Sequence, residues 1–118
     1  MFNEGKNVAT LFEKIAAREV PSEIVYEDDS CLVIRDIAPK APVHLLIIPR
    51  KPLENLMAAT EGDVSLLGHL LWVSHEIGKK LGGDGYRIII NNGKSAGQIV
   101  PHLHLHLLAG KDLAEDGY

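Results

Sequence analysis

Residues 101–108, near the end of the chain, read Pro101-His102-Leu103-His104-Leu105-His106-Leu107-Leu108. Histidine alternates strictly with leucine here, and successive side chains of a β-strand point to opposite faces. We therefore predict a strand over residues 102–108, with the three imidazoles on one face and the leucines toward the core. A helix would scatter the three histidines, because it separates alternate residues by about 200°.

The spacing of the histidines disfavours one metal ion bound by all three. Along a strand, His102 and His106 lie roughly 13 Å apart at about 3.3 Å per residue. Zinc needs imidazole nitrogens at about 2.0–2.1 Å, and no CxxC or HExxH pattern supplies further ligands. We favour nucleophilic and acid–base chemistry, since a neutral imidazole is a good nucleophile near pH 7. A zinc-binding regulatory protein is the weaker alternative.

The loop before the histidines has the composition of a phosphate-binding loop and reads Asn91-Asn92-Gly93-Lys94-Ser95-Ala96-Gly97-Gln98-Ile99. Its glycines allow backbone N–H groups to turn toward an anion, and the amides of Asn91 and Gln98 can donate further hydrogen bonds. The loop is not a P-loop. Ile88 stands where that motif requires glycine, and Pro101 leaves no room for the following helix.

The rest of the chain supplies two helices and four more strands. Apolar periodicity predicts helices over residues 8–18 and 60–81, the second capped by Thr60 and Asp63 and ended by Gly82-Gly83. Short apolar runs predict strands over residues 23–27, 31–35, 43–48 and 86–90, the first two forming a hairpin. With residues 102–108 this gives a mainly antiparallel five-stranded sheet with segregated helices, an α+β fold.

Bulk properties exclude several classes of function. The chain has 118 residues, the size of one domain, and its net charge of −4 disfavours binding to a nucleic-acid backbone. Cys31 is the only cysteine, so nothing suggests an oxidising compartment. No apolar run reaches the roughly 20 residues of a membrane helix, and no signal-peptide pattern opens the chain. We expect a cytoplasmic protein with no membrane or nucleic-acid partner and short flexible ends, residues 1–7 and 111–118.

Residues 102–108 match in full the His-φ-His-φ-His-φ-φ signature of the histidine triad (HIT) family, and the chain resembles this family over almost its whole length. The similarity is greatest to the Hint branch, the purine nucleoside phosphoramidases. It rests further on Leu11-Phe12-Glu13-Lys14-Ile15, Cys31-Leu32-Val33-Ile34-Arg35-Asp36-Ile37, Ala41-Pro42-Val43-His44 and Gly97-Gln98. The resemblance implies one HIT domain over residues 1–118. It also implies a homodimer in which the sheet continues across the interface and the long helix lies at it.

The resemblance also implies a reaction, the hydrolysis of purine nucleoside 5′-phosphoramidates with release of AMP. His104 would attack the α-phosphorus and form a nucleotidyl-histidine intermediate, which water then hydrolyses. His102 would orient His104, His106 would contact phosphate oxygens, and His44 would complete the histidine cluster. No metal or other cofactor would be needed.

The nucleotide-binding residues follow from the same resemblance. Asp36 would accept hydrogen bonds from the ribose hydroxyls. Four positions in the loop before the histidines would hold phosphate. These four are Asn91, Gly97, Gln98 and the backbone of Ile99. An apolar pocket would hold the base, formed by Leu11, Phe12, Ile15, Ile34 and Ile37. On periodicity alone, the apolar residues of the first helix are core residues.

Two positions depart from the pattern of the Hint branch. Ile99 stands where a serine is common, and Pro101 stands where an aromatic residue is common. These changes concern the leaving group more than the nucleophile. Two other functions stay open: hydrolysis of dinucleoside polyphosphates, and a nucleotide-binding or scaffold role with little turnover.

Overall fold

The computed structural model describes residues 10–114, which form two α-helices and five strands. The predicted flexible segment 1–7 and residues 115–118 of the predicted tail lie outside the described residues. The helices are α1 (Leu11–Ala16) and α2 (Val64–Leu81). The strands are β1 (Ile24–Glu27), β2 (Cys31–Arg35), β3 (Val43–Pro49), β4 (Arg87–Ile89) and β5 (Leu105–Ala109).

All strand pairs of the sheet are antiparallel, in the order β1-β2-β3-β5-β4. This confirms the predicted α+β class, the five strands and the hairpin of β1 and β2. Strand β3 lies at the centre, and all its residues after Val43 are buried. That position explains why its sequence is a continuous apolar run rather than an alternating one.

Each face of the sheet carries its own apolar cluster. On the α2 face, Leu103, Leu105 and Leu107 pack with Leu70 and Val73 of the long helix. On the α1 face, Phe12 and Ile15 pack against a second set from β2 and β3, namely Leu32, Ile34, Leu46 and Ile48. The leucines of the histidine segment therefore lie on the α2 side, as the alternation predicts.

Strand β5 begins at Leu105, three residues later than the sequence predicts. The last pair between β3 and β5 joins Ile47 to Leu105. Before that point the backbone bonds elsewhere, with the amide of Leu103 donating to the carbonyl of Leu53 at 2.7 Å. The carbonyl of Pro49 accepts a hydrogen bond from the ring of His102 at 2.8 Å. His102 and His104 therefore lie in a loop that these hydrogen bonds hold in place. The alternation of histidine and leucine does not indicate this loop.

Helix α2 begins after a short 3₁₀ turn, Glu61–Asp63. The Asp63 carboxylate accepts the backbone N–H of Thr60 at 2.9 Å, which is the predicted capping interaction. The helix keeps an exposed apolar surface, because Trp72 is 60% exposed and Val64 and Leu71 are exposed as well. Among the described residues, no helix has the length and apolar character needed to cross a membrane.

Candidate active site

His102 lies in the protein interior and has a partner for each ring nitrogen. Its Nε2 is 2.8 Å from the carbonyl oxygen of Pro49, which can only accept, so we assign the ring proton to Nε2. Its Nδ1 is 2.9 Å from the hydroxyl of Thr10 and accepts from it. The same hydroxyl accepts the backbone N–H of Glu13 at the start of α1. The N-terminal cap of α1 therefore also fixes the His102 ring.

His104 is held by the backbone of His102. Its Nδ1 is 2.7 Å from the His102 carbonyl oxygen, so Nδ1 carries the proton. The lone pair is left on Nε2, on the far side of the ring. Only 9% of His104 is exposed, and the ring lines a cavity on the α1 side of the sheet. The geometry thus presents an unprotonated imidazole nitrogen beside an open space.

His106 and His44 form a second hydrogen-bonded pair. The backbone N–H of Lys40 donates to Nδ1 of His44 at 3.0 Å, so the proton of His44 lies on Nε2. That Nε2 is 3.0 Å from Nδ1 of His106 and donates to it. The proton of His106 is therefore on its own Nε2, where it is a hydrogen-bond donor. Asp36 lies beside this pair, with a carboxylate oxygen 3.4 Å from Nε2 of His44.

The environment favours neutral imidazoles. Burial lowers the pKa of His44, His102 and His106, because an imidazolium loses its hydration in the interior. For His106 the pKa falls to about 4, as His104 and His44 oppose a second positive charge and the carboxylate of Asp36 compensates only in part. These three rings are therefore uncharged near pH 7, which agrees with the proton positions assigned above.

The cavity beside His104 has a volume of about 430 Å³ and is mainly apolar. Phe12 packs edge-on against His104, with ring centroids 4.9 Å apart. All five predicted base-pocket residues line this cavity: Leu11, Phe12, Ile15, Ile34 and Ile37. Phe12, Ile15 and Ile34 are also buried core residues. They therefore belong both to the core and to the wall of the cavity. Ile37 is 94% exposed and forms part of the rim.

The loop over residues 91–99 is fixed by its own side chains. Gly93 and Gly97 have φ angles of 92° and 89°, which a residue with a Cβ rarely adopts. Gln98 donates from Nε2 to the carbonyls of Glu54 and Val100, at 2.6 and 3.0 Å. No donor of that side chain is left for a phosphate oxygen. In this structure both side-chain N–H groups of Gln98 therefore bond within the protein, and its contact with a phosphate stays a prediction.

Asn91 and Ile99 occupy different parts of the same region. The side-chain amide of Asn91 donates to the carbonyl of Ala96 at 2.9 Å and so also stabilises the loop. Ile99 is 91% exposed and lies at the rim of the apolar cavity, together with Gly97. Gly97 and Ile99 share this cavity with His106.

Two groups among the described residues bring possible metal ligands within 4.8 Å of one another. The first is Asp36, His44 and His106, whose imidazoles are hydrogen-bonded to each other and to Lys40. The second is Asp28, Cys31 and His69. In this group, burial raises the pKa of the Cys31 thiol to about 12. The Asp28 carboxylate accepts hydrogen bonds from Tyr26, His69 and two backbone amides. These protein donors explain why the three residues of the second group lie close together.

Sequence reasoning missed Thr10, although a signal for it was present. Thr10-Leu11-Phe12-Glu13 is a capping-box sequence, and the structure shows both of its bonds, including Thr10 N–H to the Glu13 carboxylate at 3.0 Å. Nothing local to residue 10 indicates its second partner, His102, which lies 92 residues away. The same holds for the bond between His44 and His106, which depends on the pairing of β3 with β5.

Replacing Thr10 with valine tests this double role. Valine keeps the shape but removes both the helix cap and the donor to His102, so the free energy of unfolding should fall by about 1–3 kcal/mol. Thr10→Ser keeps the hydroxyl and is the matched control, expected to stay close to wild type. Urea unfolding of the three proteins measures the difference. Equal stability of the valine and serine variants would contradict the assigned contacts.

Comparison with known proteins gives a consistent result. The HIT domain family model matches residues 17–113. An uncharacterized HIT-like protein of Synechocystis is 56% identical over 103 residues, which cover 86% of this chain and 90% of that protein.

Solved structures agree with this match. A HIT family hydrolase from Legionella pneumophila superposes with a TM-score of 0.89 at 38% identity, covering 93% of this chain and 100% of the other. A histidine triad nucleotide-binding protein from Candida albicans gives a TM-score of 0.76 at 31% identity, covering 91% of this chain and 85% of the other.

Proposed function

Because the chain belongs to the HIT domain family, we propose that it is a nucleotide hydrolase of the Hint type, which cleaves the P–N bond of purine nucleoside 5′-phosphoramidates. The observation that carries the proposal is the assigned state of His104. Its Nδ1–H is held by the His102 carbonyl, so the Nε2 lone pair is available beside the cavity. The similarity to structures described as a HIT family hydrolase and a histidine triad nucleotide-binding protein supports the same reaction class.

The proposed reaction has two steps. Nε2 of His104 attacks the α-phosphorus, the P–N bond of the substrate breaks, and the amine leaves with a proton taken from solvent. Water then attacks the phosphorus of the nucleotidyl-histidine, the bond between Nε2 and phosphorus breaks, and AMP is released with one proton given to solvent and His104 regenerated. The His102 carbonyl oxygen faces Nδ1–H, so it stabilises the positive charge that the ring gains when Nε2 bonds to phosphorus.

The other site residues take supporting roles in this proposal. His106 donates its Nε2–H to a phosphate oxygen, and His44 keeps that proton in place through the bond to Nδ1. Asp36 accepts from the ribose hydroxyls, and the apolar cavity holds the purine. Asn91, Gly97 and the Ile99 backbone border the phosphate position. Gln98 acts through the loop that it holds together.

We further propose that the protein is a homodimer with one HIT domain per chain, located in the cytoplasm. Strand β4 is an edge of the sheet, and a second copy can extend the sheet by pairing with it. On α2, the exposed side chains of Val64, Leu71 and Trp72 form an apolar surface of the kind that subunit interfaces bury. Both features support an interface formed by the long helix and the sheet edge.

The substrate class is tested by comparing adenosine 5′-phosphoramidate with a diadenosine polyphosphate. We expect AMP release from the phosphoramidate at a kcat/KM at least about tenfold higher, a difference of 1.4 kcal/mol in transition-state binding. Chromatography of the products measures both rates, and a strong chelator is expected to leave them unchanged. A preference for the polyphosphate would indicate the alternative activity, the hydrolysis of dinucleoside polyphosphates. Tight AMP binding without turnover would indicate a binding or scaffold protein.

A further inference from the structure

The ring of His102 has no step in the proposed reaction, although both of its nitrogens are hydrogen-bonded. Only 1% of the residue is exposed. His104 and His106 line the apolar cavity, whereas His102 is not among the described residues that line it. The ring instead bridges two elements, with Nε2–H donating to the Pro49 carbonyl at the end of β3 and Nδ1 accepting from Thr10 before α1. A side chain that is held in this way and does not reach the cavity acts through another group.

The group through which His102 acts is its own backbone carbonyl, which accepts the Nδ1 proton of His104 at 2.7 Å. This carbonyl and the N–H of Leu103 belong to one planar peptide unit. At the other end of that unit, the Leu103 N–H donates to the carbonyl of Leu53 at 2.7 Å. The Leu53 bond fixes one end of the plane, and the His102 ring fixes the Cα atom at which the plane begins. The direction of the bond to His104 therefore depends on where the His102 ring is held.

Thr10 holds this ring with the single proton of its hydroxyl. The backbone N–H of Glu13 donates to Oγ1 of Thr10 at 3.1 Å, so the hydroxyl proton is left for Nδ1 of His102, 2.9 Å away. Phe12, in the first turn of α1, packs edge-on against the rings of His102 and His104, at centroid distances of 5.8 and 4.9 Å. The start of α1 therefore contacts the proposed nucleophile through Phe12, and it contacts the residue that orients the nucleophile through Thr10.

We propose that Thr10 is a positioning residue for the nucleophile: its hydroxyl holds the His102 ring where the His102 carbonyl keeps the His104 proton on Nδ1. The kinetic consequence rests on the proposed function. Without the hydroxyl, Nδ1 of His102 is a buried acceptor without a partner, and the ring moves to find one. The peptide plane moves with the ring, the bond to His104 weakens, and the tautomer with the proton on Nε2 becomes populated. That tautomer has no lone pair on Nε2, so it does not attack phosphorus.

Hydrolysis of adenosine 5′-phosphoramidate by Thr10→Val and Thr10→Ser tests the positioning role. We expect the kcat of the valine variant to fall by at least about tenfold, because small displacements of a reacting group cost this much, while KM stays within about threefold. Serine keeps the hydroxyl and should restore kcat to within about threefold of wild type. Thr10→Gly, an acceptable N-terminal cap without a hydroxyl, should lose kcat as valine does and replaces that variant if it does not fold. A wild-type kcat in the variants that lack the hydroxyl would overturn the inference.

Glu13→Ala is the matched control for the loss of the helix cap. It removes the second bond of the capping box, from the Thr10 N–H to the Glu13 carboxylate at 3.0 Å, and leaves the Thr10 hydroxyl beside His102. This variant should lose stability in urea, as Thr10→Val does, and keep the wild-type kcat to within about twofold. An equal loss of kcat in Glu13→Ala and Thr10→Val would mean that cap stability alone explains the effect, and the positioning role would be wrong.

The tautomer of His104 gives a readout that needs no turnover. Imidazole ¹⁵N chemical shifts distinguish protonated from unprotonated ring nitrogens, and they are measured at about pH 8, above the ordinary histidine pKa of about 6.5. His104 should carry its proton on Nδ1 in wild type and Thr10→Ser, whereas in Thr10→Val a measurable fraction should carry it on Nε2. If the wild type cleaves no phosphoramidate, the proposed function fails, and this comparison still decides the role of Thr10. An unchanged tautomer population in the valine variant would contradict that role.

Discussion

Replacing His104 with alanine is expected to reduce phosphoramidate hydrolysis by about a thousandfold or more, since losing a covalent nucleophile costs at least that much in comparable enzymes. The reason is specific to this ring. Among the described residues that border the cavity, His104 combines a proton-free nitrogen with a bond that holds its other nitrogen in place. His106 shares the cavity, but its Nδ1 accepts from His44 and its proton lies on Nε2, so it is a donor in this state.

The loss must be separated from unfolding and from loss of binding. His75→Ala is the matched control, because His75 lies on the exposed surface of α2, where it contacts Glu76 and stacks on Trp72, outside the cavity. It should keep wild-type activity. His104→Ala should still bind AMP, because the apolar cavity stays in place. Mass spectrometry of quenched wild-type reactions should show one added nucleotidyl group, absent from His104→Ala. If His104→Ala retained a tenth of the wild-type activity, the covalent mechanism would be refuted.

Local patterns predicted much of this architecture. Two-residue alternation placed the triad imidazoles and leucines on opposite sides of the sheet, and the apolar run from Val43 predicted a strand, which the structure shows to be buried. These features depend on neighbours in the chain, which a sequence shows directly. The alternation also predicted that residues 102–104 would be strand. That was wrong, because a partner far along the chain, the backbone of Leu53, takes the hydrogen bond of Leu103.

The chemistry of the site depended on contacts that a local pattern does not contain. The proton positions of His104 and His106 follow from the His102 carbonyl and from Lys40 through His44. Family resemblance selected His104 as the proposed nucleophile, and the bond of its Nδ1 to the His102 carbonyl gives this proposal a physical reason. Gln98 shows the opposite case, since its side chain suits a phosphate but its donors are used within the protein.

The free energy of unfolding is expected to fall as the pH drops from about 6.5 toward 4, because His44, His102 and His106 resist protonation in the folded state. The pKa of His106 is about 4 in the folded protein, against 6.5 in an unfolded chain. Within that interval the unfolded state binds a proton that the folded state does not, so acid favours unfolding. At 1.36 kcal/mol per pH unit, His106 alone accounts for a loss of about 3 kcal/mol.

The other groups whose pKa values are lowered change the size of this effect but not its direction. The pKa values of His44 and His102 are also lowered by burial, so they add to the loss below pH 6.5. The carboxylates of Glu27 and Asp63 have lowered pKa values and lose their contribution only as the pH falls through the range below their ordinary values of 4.5 and 3.8. A loss between pH 6.5 and 5 therefore reports on the histidines.

Urea unfolding at pH 7, 6, 5 and 4.5, at one protein concentration, measures this dependence. His106→Asn should be flatter between pH 6.5 and 5 by about one proton, or up to 1.36 kcal/mol per unit, because it cannot take up that charge on unfolding. His75→Gln, which removes an exposed histidine outside the site, is the comparison against which this change is judged. A wild-type stability that is constant between pH 7 and 5 would mean that the imidazoles at the site already share a proton when folded. The Nε2 lone pair assigned to His104 would then need to be reconsidered, because the proton positions of the cluster were derived for neutral rings.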